Sequence, residues 1–147
     1  MHFLNGRKKV TCYVVFGGGG AHGPWRLWTK PGWRHCFVLV TVYHPAPSLH
    51  ARRFLAKVEA FTGFLDVDVW WNSPEDACRL LHENGATAIV KITVDLPPRR
   101  LWVPRGVITC VSVPKAVLGI CNWRIVTPWR LFQYLLQTGG ELVKIEG

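Results

Sequence analysis

A chain of 147 residues, 49% hydrophobic and 12% aromatic, is long enough to bury one core, and with only 18% charged residues disorder is not expected. Eighteen Lys and Arg against nine Asp and Glu give a formal charge of +9 and a pI near 9.8. That balance favours an anionic partner such as nucleic acid, a phospholipid surface or an acidic polymer, but it sets no chemistry.

Five cysteines, Cys12, Cys36, Cys78, Cys110 and Cys121, are odd in number and show no C-x-x-C spacing. They argue against a disulfide framework and for a reducing compartment, and nothing in their spacing to His22 or His35 asks for zinc. No metal and no cofactor is implied.

Arg7-Lys8-Lys9 followed by the apolar run Val10 to Phe16 superficially resembles a signal peptide. The run is at the short limit and passes straight into Gly17 to Gly20, so a β-strand entering a glycine turn is the expectation. No apolar run approaches the ~20 residues needed to span a bilayer. The four glycines lack the Lys-Ser/Thr of a phosphate-binding loop and read as a connector.

Trp25, Trp28 and Trp33 interleave with Arg26, Lys30 and Arg34, a pattern that can stack bases and neutralise phosphates or can pack beside a core; packing is favoured. Pro31-Gly32 is a turn, and a strand runs from Trp33 to Tyr43 with His35 near its start. His44 to Ser48 is a loop. Residues 53–61 fit a helix or a strand, and the turn Thr62-Gly63 before the alternating run Phe64 to Trp71 decides for a hairpin. Ser73-Pro74-Glu75-Asp76 starts a helix that runs to about Asn84, with Gly85 as its stop. Ala86 to Leu96 is a strand, and Pro97 to Arg100 leads into the loop before Cys110. A last helix starts at Thr127-Pro128 and carries Trp129, Leu131, Phe132, Leu135 and Leu136. There is no repeat and no second domain: residues 1–147 form one unit.

The segment Gly106 to Ile120 reads as a short approach, a cysteine, and an amphipathic helix ending near Gly119. A thiol at a helix start sits where free N–H groups and the helix dipole favour its thiolate. Pro114 lies where the first turn should form and predicts a helix that begins a residue or two late. Cys36 beside His35 should point to the opposite face of the strand, so one of the two is expected to be buried. A thiol–imidazole pair from Cys110 and His35, with Glu59 on a neighbouring strand to orient the ring, is the chemistry these pieces suggest. Asp66 and Asp68, one strand later, are alternative orienting residues.

Pro31-Gly32-Trp33-Arg34-His35-Cys36-Phe37-Val38, Val58-Glu59-Ala60, Thr109-Cys110-Val111 through Lys115 and Leu118-Gly119-Ile120 resemble the circularly permuted branch of the NlpC-type, papain-like cysteine peptidase superfamily, and within it short bacteriophage-encoded proteins. Thr127-Pro128-Trp129 with Leu131 and Tyr134 looks similar too. The likeness runs in patches from about residue 31 to residue 136. It implies an α+β fold, an antiparallel half-barrel packed on a nucleophile-bearing helix, with histidine before cysteine in the chain. It implies hydrolysis of a peptide or amide bond, in cell wall or virion polypeptide, with Cys110 as nucleophile, His35 as base and Glu59 as orienting residue. It also implies a place in the host cytoplasm during assembly or in the virion. Two other expectations stand beside it: a non-catalytic virion or assembly protein reusing the fold, with other virion proteins as partners, and a basic nucleic-acid-binding module using Trp25, Arg26, Trp28, Lys30 and Arg34, with Arg99, Arg100 and Arg105.

Overall fold

The architecture follows from a central strand with no polar face. In β1 (Lys9–Gly17) five consecutive residues, Cys12 to Phe16, are buried, which suits a strand covered on both sides. The computed structural model describes residues 9–18, 27, 29–43, 53–61, 64–95 and 108–145. After β1 come β2 (His35–Tyr43), β3 (Arg53–Phe61), β4 (Phe64–Trp70), helix α1 (Pro74–Glu83), β5 (Ala86–Asp95), helices α2 (Ser112–Leu118) and α3 (Pro128–Gln137), and the short β6 (Glu141–Leu142). The strands form one six-stranded sheet in the order β4-β3-β2-β1-β5-β6, antiparallel at every pairing. Six strands and three helices among the described residues make this an α+β fold.

Alternation along the strands sorts the core into two layers. Val10, Cys12, Val14, Phe16, Cys36, Val38, Ala60 and Val90 face Val111, Val113 and Leu118 of the α2 segment and Leu131 and Leu135 of α3. Tyr13, Val15, Leu39, Leu55 and Ile89 face Ala77 and Cys78 of α1. Trp33 joins the first layer, with its ring centroid 5.6 Å from Phe16, 4.8 Å from Trp129 and 4.3 Å from Phe132. The packing role expected of this tryptophan is the one it has.

Local chemistry places the hairpin and two helices where the sequence predicts them. Phe61 pairs with Phe64, and the register carries on to Leu55 opposite Trp70. Ser73 caps α1 by accepting from the Asp76 N–H at 3.1 Å with Pro74 in the first turn, and Thr127 caps α3 by accepting from the Arg130 N–H at 3.3 Å. One boundary differs. β2 begins at His35 rather than Trp33, because the Trp33 N–H bonds to the Lys30 carbonyl, which holds Lys30 to Trp33 in a turn. The helix after Cys110 begins at Ser112, the late start that Pro114 predicts. Strand β6 has no sequence signal; it lies on β5 because Gly140 lets the chain pass close to Val90 and the end of α3.

Candidate active site

Cys110 is presented by a turn rather than by a helix end. The Ser112 N–H bonds to the Thr109 carbonyl at 3.1 Å, the pattern of a β-turn with Cys110 as its second residue. Thr109 and Ser112 then cap each other: the Thr109 N–H reaches Ser112 Oγ at 2.7 Å and the Ser112 N–H reaches Thr109 Oγ1 at 3.2 Å. The first α-helical bond runs from Lys115 to the Val111 carbonyl, with Pro114 buried in the first turn where its missing N–H costs nothing. Two residues before a seven-residue helix, Cys110 takes its character from side chains and not from the helix dipole, which corrects the expectation drawn from the sequence.

Those side chains come from β2. Cys36 is fully buried, at 0% exposure, and its thiol donates to the Cys110 carbonyl at 3.2 Å. His35 keeps part of its ring in solvent. Of the adjacent pair, therefore, the cysteine is the buried one and the histidine is available. His35 and Cys110 lie close enough for each to act on the other's charge, so consecutive strand residues both meet Cys110 at the N-terminal end of β2. Glu59 completes the row from β3. It is 6% exposed, and its Oε1 lies 2.5 Å from His35 Nε2. With Nε2 engaged there, Nδ1 is the ring nitrogen that Glu59 does not hold.

The electrostatics follow from these contacts. The Cys110 thiol is pulled down to about 5, first by the neighbouring Cys36 thiol and then, against burial, by His35, by the Cys36 backbone and by the imidazole's positive charge. Burial works to lower His35, but hydrogen bonds to Cys110 and Glu59 and their negative charges outweigh it and raise the ring above its ordinary 6.5. From about pH 5 up to the raised value of His35, the pair exists as thiolate and imidazolium. Other thiols move the opposite way: burial pushes Cys12 up to about 12, Cys78 is raised to about 11 by burial and by Glu75, and Cys36 is raised by burial and by the Cys110 thiolate beside it. A thiolate held against a histidine that is itself held by a carboxylate can attack an electrophilic carbon and return a proton to the leaving group.

Of the alternative orienting residues, neither is on the imidazole. Asp66 stands opposite Glu59 in the strand register and approaches Lys57 at 3.9 Å. Asp68 accepts from the Val69 N–H at 2.8 Å and from Trp70 Nε1 at 3.1 Å. The Lys57 ammonium meets Glu59 Oε2, and because Glu59 is buried the pair belongs to the site. The signal was the i, i+2 spacing of Lys57 and Glu59 on one strand face. The contact of Cys36 with Cys110 had no signal beyond its position next to His35.

Most of the residues proposed to contact nucleic acid are not among those described. Trp25, Arg26, Trp28, Arg99, Arg100 and Arg105 lie outside the described residues, and Lys30 sits over the Trp129 ring, 3.5 Å from its centroid. Among the described residues no three His, Cys, Asp or Glu side chains group as metal ligands, and no helix is long and apolar enough to cross a membrane. No protein-family model, no curated protein and no solved structure matches this chain.

Proposed function

We propose that this chain is a papain-like cysteine hydrolase in the permuted, NlpC-type order, acting on a peptide or amide bond. The observation that carries the reading is the row Cys110–His35–Glu59, in which the thiol is lowered to about 5 and the imidazole is raised. Supporting it, an antiparallel sheet presents histidine and carboxylate on neighbouring strands, α2 packs on those same strands just after the cysteine, and histidine precedes cysteine in the chain.

In this mechanism the Cys110 thiolate attacks the carbonyl carbon, and the carbon–oxygen π electrons move onto oxygen. The tetrahedral adduct collapses with cleavage of the carbon–nitrogen bond, and the His35 imidazolium gives its proton to the departing amine. A water molecule, deprotonated by the now neutral His35, then attacks the acyl-thioester; the acid departs and the thiolate–imidazolium pair is restored. Glu59 holds the ring's orientation throughout and favours its charged form.

The test is incubation with activated amides and esters, followed by intact mass. An acyl adduct on Cys110 that turns over in the wild type, builds no further than background in Cys110→Ala, and forms slowly in His35→Ala is the expected result. No adduct with any acyl donor and no thiolate character at Cys110 would end the reading.

A second reading, a virion or assembly protein that reuses the fold, is favoured by one observation. The edge strand β4 and the residue after it expose Leu65, Val67, Val69 and Trp71, a surface suited to burial against another subunit. A fixed, symmetric copy number in intact particles, with infectivity unchanged in Cys110→Ser, would select it.

A further inference from the structure

The row at the site does not end at Glu59. Lys57 precedes it by two residues on β3, so both side chains stand on one face of the sheet. The Lys57 ammonium meets Glu59 Oε2, lies 3.9 Å from Asp66 Oδ2 on β4, and sits 5.2 Å from the centroid of the Phe37 ring. Five side chains from three strands and the Cys110 turn thus form a line of alternating sign: Asp66, Lys57, Glu59, His35, Cys110. Both oxygens of Glu59 are committed, Oε1 to His35 and Oε2 to Lys57.

We propose that Lys57 is a positioning residue of this site, locking the Glu59 carboxylate onto His35 and setting the pH range in which the Cys110–His35 pair is charged. The proposal rests on the hydrolase reading. Its physical basis has two parts. A carboxylate buried against an imidazole alone is free to exchange its oxygens; with Oε2 tied to an ammonium, only Oε1 is left to hold the ring. A fixed cation also lowers the proton affinity of every group nearby, so Lys57 draws both the thiol and the imidazole toward lower pH, and Asp66 behind it partly opposes this.

The other ionisable groups around the row are occupied elsewhere. Asp68 is opposite Lys57 in the register, but its carboxylate accepts from Val69 and Trp70. On the same face α1 brings Cys78, on which Glu75 and Lys91 act, and β1 brings Tyr13. Beside the Cys110 turn, Lys115 donates to the Ile125 carbonyl at 3.0 Å, and the Cys36 thiol donates to the Cys110 carbonyl.

The experiment follows the rate of Cys110 alkylation by iodoacetamide against pH, resolved by peptide mass, in the full chain and in Lys57→Met, Lys57→Arg and Asp66→Asn. Removing the cation in Lys57→Met should move the acid limb up by about half a pH unit, a ~threefold slower reaction at a fixed pH on that limb. Lys57→Arg should restore the limb, and Asp66→Asn, at a more exposed position, should move it slightly down. A purely structural Lys57 would change rates at every pH without moving the limb. A wild-type Cys110 that titrates like an ordinary thiol overturns the hydrolase reading itself. A low-titrating wild-type Cys110 whose limb stays in place in Lys57→Met, or is not restored by Lys57→Arg, overturns the role of Lys57 alone.

Discussion

Cys36 donates its thiol hydrogen to the carbonyl of Cys110 at 3.2 Å, joining residues 74 positions apart in the chain. The contact fixes the nucleophile's backbone to the strand that carries the histidine, and the same buried thiol supplies the largest influence lowering Cys110. Cys36→Ala removes that donor and leaves His35 in place. The expected outcome is a thiolate midpoint for Cys110 displaced upward by about one pH unit, so that alkylation at mildly acidic pH slows ~tenfold. Cys36→Ser, which keeps a donor, should recover part of the loss.

Hydrolysis should follow a bell-shaped pH profile whose acid limb reports Cys110, at about 5, and whose basic limb reports His35, above its ordinary 6.5. Glu59→Gln keeps the shape of the side chain and removes its charge. One of the causes raising His35 is then gone while Lys57 remains, so the basic limb should move to lower pH. A profile measured on the variant with its basic limb unmoved would show that Glu59 does not hold the imidazolium.

The Thr109–Ser112 pair predicts a different kind of effect. Ser112→Ala deletes the oxygen that accepts from the Thr109 N–H at 2.7 Å and should cost about 1 kcal/mol by denaturant titration, as loss of a capping side chain does. Because the same pair shapes the turn around Cys110, turnover should fall more than stability does.

Gly140→Ala tests the fold away from the chemistry. A Cβ there would lie 2.7 Å from Val90 Cγ1 and 2.8 Å from the Leu135 carbonyl oxygen, too close for either to remain in place. The substitution should lower unfolding free energy by about 1–3 kcal/mol, read from the denaturant midpoint. Thiol reactivity at Cys110 should persist in the fraction that remains folded.

The parts of this molecule legible in the sequence are those written locally. Ser73-Pro74 and Thr127-Pro128 announce their helices through the bonds they make within one turn, and the alternation on either side of residues 62–63 sets the hairpin and with it the strand that carries Glu59. The order His35, Glu59, Cys110 was equally legible, since strand and turn elements could be placed in sequence. What was not legible depends on register. Lys57 and Glu59 share a face with His35 only because β3 pairs with β2 so that Val58 stands opposite Val38, and no local pattern fixes that offset. The reach of Cys36 to Cys110 is likewise a product of how α2 and its preceding turn settle on the sheet. The late helix start after Cys110 is legible in Pro114, but the Thr109–Ser112 turn that holds Cys110 just outside has no hydrophobic period to reveal it.

The most direct measurement is competitive alkylation of the folded chain at mildly acidic pH with a limiting electrophile, followed by peptide-resolved quantification of all five cysteines. Modification concentrated on the half-buried Cys110, ahead of the exposed Cys121, and abolished at that position in His35→Ala, is the result that a thiolate held by an imidazolium demands. Labelling led by Cys121, or unchanged at Cys110 when the imidazole is removed, would contradict it.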